Sequence, residues 1–358
     1  MTLWSRLTGW PGRASAGLAL AIAAGVTACG GGGTAARSAS SARPAVSAPV
    51  TGGPVTLQRQ YERVVATVLP SVVQITTPEG LGSGVVFDAE GDIVTNAHVV
   101  GSAKDVRVRL PSGSKTLAAA VLGVFAPDDL AVIRVQGSAG TLRPATFGRS
   151  SAVRVGEIVL AMGNPLGLTG TVTDGIVSAT GRTVSEGQGS SAVLISAIQT
   201  SAPINPGNSG GALVSLSGQV IGIPTLAASD PQMGGAAVGI GFAIPSDTVT
   251  SIARQLVTTG KVANSGRAAL GITAETVADA SGQPAGVGVV AAKPGGPAAQ
   301  AGIRAGDIIL AVEGKTTDSA TALQSVLATL RPGDQVRVRL SRNGTQSTVT
   351  ATLSALTS

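Results

Sequence analysis

Cysteine, histidine and aromatic residues are scarce in this chain of 358 residues, and each shortage excludes something. It has one cysteine, Cys29, and one histidine, His98. A lone cysteine rules out an internal disulfide and any multi-cysteine metal site. A lone imidazole rules out histidine clusters, so no metal or cofactor is expected and any imidazole base must be His98. Aromatics make up 2% of the residues, so a core must be built from Val, Ile, Leu and Ala. No face combines clustered Lys or Arg with aromatics, which argues against nucleic acid as a partner. The formal charge is +6. Two of the bases, Arg6 and Arg13, lie in an N-terminal stretch read below as a leader, so the remainder is only mildly basic.

What is present begins with that stretch. After Arg13 the chain is uncharged from Ala14 to Ala28. This is short of the ~20 residues of a membrane span and suits a secretory leader. It ends Val26-Thr27-Ala28-Cys29, which resembles the bacterial lipobox, in which the cysteine is lipidated and becomes the first mature residue. Two acyl chains would hold the protein stably on a membrane. The expectation is a signal peptide over 1–28, a lipid-modified Cys29 and an exported protein on the extracytoplasmic face of the cell membrane. The Gly-, Ser-, Ala- and Pro-rich 29–54 would then be a flexible tether.

Order is expected from Val55. Leu57, Tyr61, Val64, Val65 and Val68 share one face of a short helix that Pro70 ends. Two sets of about six strand-like runs follow, one from Val72 to Val135 and one from Ile158 to Ala243, separated by Gly, Pro, Asp and Ser turns. With 50 glycines and many Val and Thr, the pattern is mainly β and fits paired barrels. Helix-like spacing from Asp247 to Leu256 closes this region.

Three short segments carry chemistry. Asn205-Pro206-Gly207-Asn208-Ser209-Gly210-Gly211-Ala212-Leu213 sets a serine among glycines. A glycine before a nucleophile lets the backbone turn so that its N–H and that of the serine point at one spot, as an acyl-transfer oxyanion requires. Thr95-Asn96-Ala97-His98-Val99-Val100 presents the imidazole, with small Ala97 suiting a ring carried on a loop. Pro127-Asp128-Asp129-Leu130-Ala131-Val132-Ile133 offers an acid at the mouth of an apolar strand. Asp129 is better placed than Asp128, which is expected to face solvent, and Asp105 lies in a polar turn beside Lys104. Histidine and acid fall in the first strand set, and the serine falls in the second.

The order His98, Asp129, Ser209, within TNAHVV, DDLAVI, GNSGGAL and the later GIGFAIP, resembles the HtrA (DegP/DegQ-type) family of trypsin-fold serine proteases over roughly residues 60–355. That resemblance implies two perpendicular six-stranded β-barrels over 55–258, a catalytic Ser209–His98–Asp129 triad and an ATP-independent endopeptidase. The oxyanion hole would come from the Gly207-Asn208-Ser209 loop, through the Gly207 and Ser209 N–H groups. In the S1 pocket Pro203 stands where a basic-specific enzyme carries an acid. Ile204, Ile240, Phe242, Ala243 and Ile244 would make the pocket apolar and suited to small or medium aliphatic residues. Ser201 departs from the aspartate of many relatives. The loop Ala227 to Ala237 matches the one that opens or closes the pocket, and Tyr61 is the single aromatic available for the family's usual homotrimer.

After a linker over 259–267, the segments Ala269-Leu270-Gly271-Ile272 and Gly296-Pro297-Ala298-Ala299-Gln300-Ala301-Gly302-Ile303-Arg304-Ala305-Gly306-Asp307-Ile308-Ile309 resemble a PDZ domain, spanning 268–356. In such domains a Leu-Gly-Ile loop, here Leu270, Gly271 and Ile272, receives a peptide's terminal carboxylate, and the peptide adds a strand to the sheet. Arg267 is placed to assist the carboxylate or to face solvent. Ala322, Ser325 and Val326 would form the helix wall of the groove. The function implied is cleavage of misfolded or damaged exported proteins, with peptide C-termini as partners of the PDZ domain. The alternative is a latent peptide-binding chaperone or scaffold using the same groove.

Overall fold

The computed structural model describes residues 54–111, 116–137, 142–164, 170–185, 193–205, 207–230 and 235–358. The expected leader, Cys29 and nearly all of the tether lie outside them. Everything described belongs to one unit, Thr51–Ser358. It opens with α1 (Pro54–Val68), whose Val64 and Val68 are buried while Leu57 is 39% exposed. The buried stripe therefore covers only the last two turns. Tyr61 packs half-buried against the chain's own core, and burial, with Asp174 nearby, raises its hydroxyl above the ordinary value.

The first barrel comprises β1 (Val72–Thr77), β2 (Gly80–Val86), β3 (Asp92–Thr95), β4 (Asp105–Arg109), β5 (Thr116–Phe125) and β6 (Leu130–Val135). It closes in the order β1-β2-β3-β6-β5-β4. The second comprises β7 (Ile158–Gly163), β8 (Thr171–Ser185), β9 (Val193–Thr200), β10 (Ala212–Ser215), β11 (Val220–Asp230) and β12 (Gly235–Pro245), in the order β7-β8-β9-β12-β11-β10. The two orders are the same permutation, so one chain path is used twice. The stretch from Ala227 to Ala237, expected as a loop, mostly continues β11 and β12 as strand, with 231–234 outside the described residues.

Several strands are apolar on both faces, which hides the usual alternation. In β6, Leu130 and Val132 enter a core shared by both barrels, whereas Ala131, Ile133 and Val135 fill the first barrel. In β7, Leu160 and Met162 join the shared core, while Val159 and Ala161 fill the second barrel. With aromatics scarce, this three-part packing of branched aliphatics is how the domain buries its apolar area, at about 1.5–3 kcal/mol per large side chain. Helix α3 (Ser246–Thr259) adds Val249, Ile252, Ala253 and Leu256 to the shared core. Their spacing is the i, i+3, i+4, i+7 stripe of a half-buried helix. Gly260 caps it in the left-handed region (φ 69°), its N–H donating to Leu256 O.

The C-terminal part is built on its own core. A sheet of β14 (Ile272–Ala278), β15 (Pro284–Ala292), β16 (Ile308–Val312), β18 (Gln335–Arg342) and β19 (Thr345–Thr352) carries the short β17 (Lys315–Thr316) beside β16. The small pair β13 (Ala268–Ala269) and β20 (Ser354–Ala355) ties its ends together. Helices α4 (Pro297–Gln300) and α5 (Ala320–Leu327) complete it. Asp307 is buried and takes Nε and Nη2 of Arg342 at 2.7 and 2.8 Å, plus the Arg304 N–H at 2.8 Å.

The Arg342 hydrogen bond is the chief reason the Asp307 carboxyl titrates below its ordinary value. A carboxyl lowered on folding stabilises the fold above its unfolded pKa, and that contribution is lost as pH falls through the folded value. The stability advantage of wild type over Asp307→Asn, measured by denaturant unfolding at stepped pH, is expected in full near neutrality. It should shrink below about pH 4. A pH-independent difference would contradict this account.

Candidate active site

Asp129 ends a 3-10 turn over Ala126–Asp128 and sits at φ 49°, ψ 43°. Aspartate tolerates this left-handed conformation better than most residues. The kink turns its carboxylate back onto α2 (Ala97–Val100), the one-turn helix that carries His98. The imidazole thus comes from a helical turn and not from the expected loop. Asp129 Oδ1 accepts the His98 N–H at 2.9 Å, and Oδ2 pairs with His98 Nδ1 at 2.8 Å. Asp129 O accepts from Ala97 N and Asn96 Nδ2.

The Asp129 side chain is 3% exposed and that of His98 46%. A buried carboxylate needs donors, so Nδ1 carries the proton and Nε2 is left as the base.

The second barrel supplies a further donor. Thr225 Oγ1, on β11, gives its proton to Asp129 Oδ2 at 2.5 Å, and the carbonyl of the same residue accepts from Ser209 Oγ at 2.8 Å. Thr225 thus joins the acid of one barrel to the serine of the other. The sequence reading did not single it out. Its one signal is the apolar strand two residues after Ile223, which says nothing of a partner 96 positions away. To reach His98 Nε2, the Ser209 proton must swing from the Thr225 carbonyl toward the ring.

Gly207 has φ 107° and Gly210 φ 79°, so the turn expected before the serine is present. A Cβ on Gly210 would lie 2.2 Å from Ser83 O, and one on Gly211 2.1 Å from Met162 O. These glycines are required by the close approach of both barrels. The Asn208 N–H is engaged by Asn205 O at 3.0 Å and its side-chain amide by Pro203 O at 3.2 Å. Asn208 therefore braces the turn. The Gly207 and Ser209 amides donate to no described residue.

A cavity of about 500 Å³ lies over the serine, lined by His98, Val99, Ile204, Gly207, Ser209 and Thr225 among others. Of the six residues expected in S1, Ile204 lines it. Pro203 is exposed, and Ile240 is 37% exposed. Phe242 and Ile244 point into the shared core and Ala243 into the second barrel, because alternate residues of β12 face opposite ways. Glu79, an acid on the first-barrel wall of the cavity, accepts from Ser102 Oγ.

Two expectations about charge are corrected. Asp128 does not face solvent. It is buried, and Arg267 is not in solvent: it lines the cavity at the Leu270-Gly271-Ile272 loop while its Nη1 turns to Asp128. Arg267 Nη1 donates to Asp128 Oδ1 at 2.7 Å and Pro127 O at 2.6 Å, with the two side chains 11% and 4% exposed. Burial raises the Asp128 carboxyl above its ordinary value, opposed by Arg267.

A second cavity of about 250 Å³ lies at the Leu270-Gly271-Ile272 loop. Its helix wall is Ala320, Leu323, Gln324 and Leu327, and Pro127 and Ile195 line it from the barrel side. Ala322, Ser325 and Val326 do not line it. Helix α5 is rotated from the expected phase because Leu323 and Val326 anchor the core.

Residues 82–223 match a family model described as a trypsin-like peptidase domain, and residues 268–353 match a PDZ domain. The chain is 40% identical over 311 residues to the serine protease PepD of Mycobacterium tuberculosis, covering 82% of this chain and 65% of PepD. It is also 40% identical over 287 residues to the periplasmic pH-dependent serine endoprotease DegQ of Escherichia coli, covering 78% and 60%. It thus spans less than two thirds of either curated relative. Among solved structures it is similar to the HtrA-type protease AlgW with a decapeptide. The identity is 31% and the TM-score 0.56, over 83% of this chain and 98% of that one.

The donor set around Asp129 gives a graded expectation. Asp129→Asn should lower kcat by at least about 10³-fold, because the amide no longer fixes the imidazole tautomer. Thr225→Val leaves two of the three donors and should cost about tenfold. Steady-state hydrolysis of a chromogenic peptide checks both, and equal effects would contradict the ranking.

Proposed function

The chain belongs to the HtrA family of trypsin-like serine proteases that carry a PDZ domain, and we propose that it is an ATP-independent endopeptidase of exported proteins with Ser209 as nucleophile. The observation that carries this reading is the Asp129 carboxylate holding His98 by ring and backbone at 2.8 and 2.9 Å in the cavity that Ser209 shares.

In the proposed reaction Ser209 Oγ attacks the scissile carbonyl carbon while His98 Nε2 takes its proton. The carbonyl π electrons move onto oxygen, which the Gly207 and Ser209 N–H groups receive. Collapse of this intermediate breaks the C–N bond, and His98 returns the proton to the leaving amine. Water then repeats the sequence on the acyl-enzyme. Asp129 stays ionised and stabilises the imidazolium.

For specificity, Ile204 is the apolar wall beside the serine, and Pro203 brings no carboxylate. Cleavage after Val, Ala or Leu is favoured over cleavage after Arg or Lys. The groove at Leu270, Gly271 and Ile272 suits the C-terminus of an extended peptide, and AlgW was solved with a decapeptide. Since Arg267 is occupied by Asp128, the terminal carboxylate would rest on backbone N–H groups. Export fits both the leader-like N-terminus and the periplasmic relative. Lipidation at Cys29 would hold the enzyme at the outer face of the membrane. Misfolded exported proteins are the substrates this placement favours. The Ser209 proton lying on the Thr225 carbonyl also suits the second reading, a resting or latent peptide-binding chaperone.

Casein should be degraded by wild type and not by Ser209→Ala, and a fluorophosphonate should label the first alone. In a peptide library, equal cleavage after Arg and Val would contradict the pocket assignment. If neither protein cleaves, with or without C-terminal apolar peptides, the chaperone reading replaces the protease one. Mass spectrometry of the mature protein should find diacylglycerol on Cys29, and an unmodified thiol there would remove the anchor.

A further inference from the structure

Outside the triad, the most heavily bonded buried polar residue near the serine is Ser83, on β2 of the first barrel. It is fully buried and uses all three of its polar groups. Its Oγ donates to Gly207 O at 2.5 Å and accepts the Asn164 N–H at 2.8 Å. Its N–H donates to Ser209 O at 3.0 Å, and its carbonyl accepts from Thr95 Oγ1 at 2.7 Å. One residue of the first barrel therefore grips the carbonyls of Gly207 and Ser209 on the nucleophile loop, and anchors Asn164 at the end of β7.

Those two carbonyls belong to the peptide planes that follow Gly207 and Ser209. Each plane is held at its other end as well, Asn208 N by Asn205 O and Gly210 N by Pro224 O. A peptide plane bonded at both edges cannot rotate without breaking a buried bond. The amides that would receive the oxyanion, those of Gly207 and Ser209, sit next to these fixed planes. Their convergence depends on the carbonyls staying turned away. Gly207, with no side chain and φ 107°, is where the loop would otherwise rotate most easily.

We propose that Ser83 is a positioning residue for the oxyanion hole, locking the Gly207 carbonyl toward the first barrel so that the two amides face the cavity. Ser83 touches no substrate. It acts through the loop, with its side chain on one plane and its backbone on the other. The proposal rests on the reading of Ser209 as nucleophile.

The test uses the full chain and two variants, Ser83→Ala and Ser83→Cys. The second keeps the side-chain shape, slightly enlarged, but supplies only a weak donor. Three quantities are measured on folded protein, checked by circular dichroism: kcat, KM, and the affinity of a peptidyl boronic acid, whose adduct with Ser209 places an oxygen in the hole. Deleting an oxyanion donor costs about 10²–10³-fold in kcat, so disordering one should cost about 10- to 100-fold. The expected pattern is that kcat and boronate affinity fall together, with KM within about threefold. A role confined to packing would instead lower the folded fraction and leave both unchanged per folded molecule. If both variants keep kcat and boronate affinity within about twofold of wild type, the proposal is overturned. Absence of fluorophosphonate labelling in wild type itself would reject the nucleophile reading, and this proposal with it. Labelled wild type with unaffected Ser83 variants rejects the positioning role alone.

Discussion

A buried carboxylate on a sharply turned backbone is the constraint from which the rest of the protease domain follows. Asp129 is nearly inaccessible, and an ion so placed is tolerated only if donors surround it. Two donors come from the His98 turn and one from Thr225 in the second barrel. The last of these donors reaches the acid only when the two barrels are joined at this point. Joining them also sets Thr225 between Asp129 and Ser209 and brings the serine into the imidazole's cavity. Folding and assembly of the site are one event, because the same hydrogen bonds belong to both.

The glycines of the Ser209 loop have the complementary role. Both barrels press on this turn so closely that a single Cβ at Gly210 or Gly211 would overlap a backbone carbonyl. Dense contact excludes water from the back of the loop and strengthens every hydrogen bond that shapes it. Ser83, Asn205, Asn208 and Pro224 then fix the peptide planes. The shared aliphatic core behind them, from Leu130 and Val132 on one side to Leu160 and Met162 on the other, holds the barrels together without large aromatics.

The buried pair Arg267–Asp128 extends the same loop toward the C-terminal domain. Asp128 and Asp129 are adjacent, yet one faces the neck of the PDZ domain and the other the imidazole. Breaking a buried pair strands a charge and costs about 3–5 kcal/mol. Arg267 therefore fixes the neck against the turn that carries Asp129, and Pro127 of that turn lines the cavity at the Leu270-Gly271-Ile272 loop.

The apolar periodicities and the glycines were enough to read a mainly β chain with two strand sets, and the resemblance carried by the motifs picked out a C-terminal PDZ domain and the residues His98, Asp129 and Ser209. Each of these is a local pattern: an acid before an apolar run, a serine between glycines, a stripe every third or fourth residue. Other features belong to pairs far apart in the chain. Sequence spacing placed Asp128 in solvent, but its environment is set by Arg267, 139 positions on. The phase of α5, the inward turn of Phe242 and Ile244, and the parts played by Thr225 and Ser83 were equally invisible. Strands buried on both faces lose the alternation that marks an inside, and a hydroxyl's meaning depends on which carbonyl it meets. The sequence by itself determined which chemical groups are available and in what order. Tertiary structure alone decided which of them meet, because burial and long-range pairing assign partners that spacing cannot.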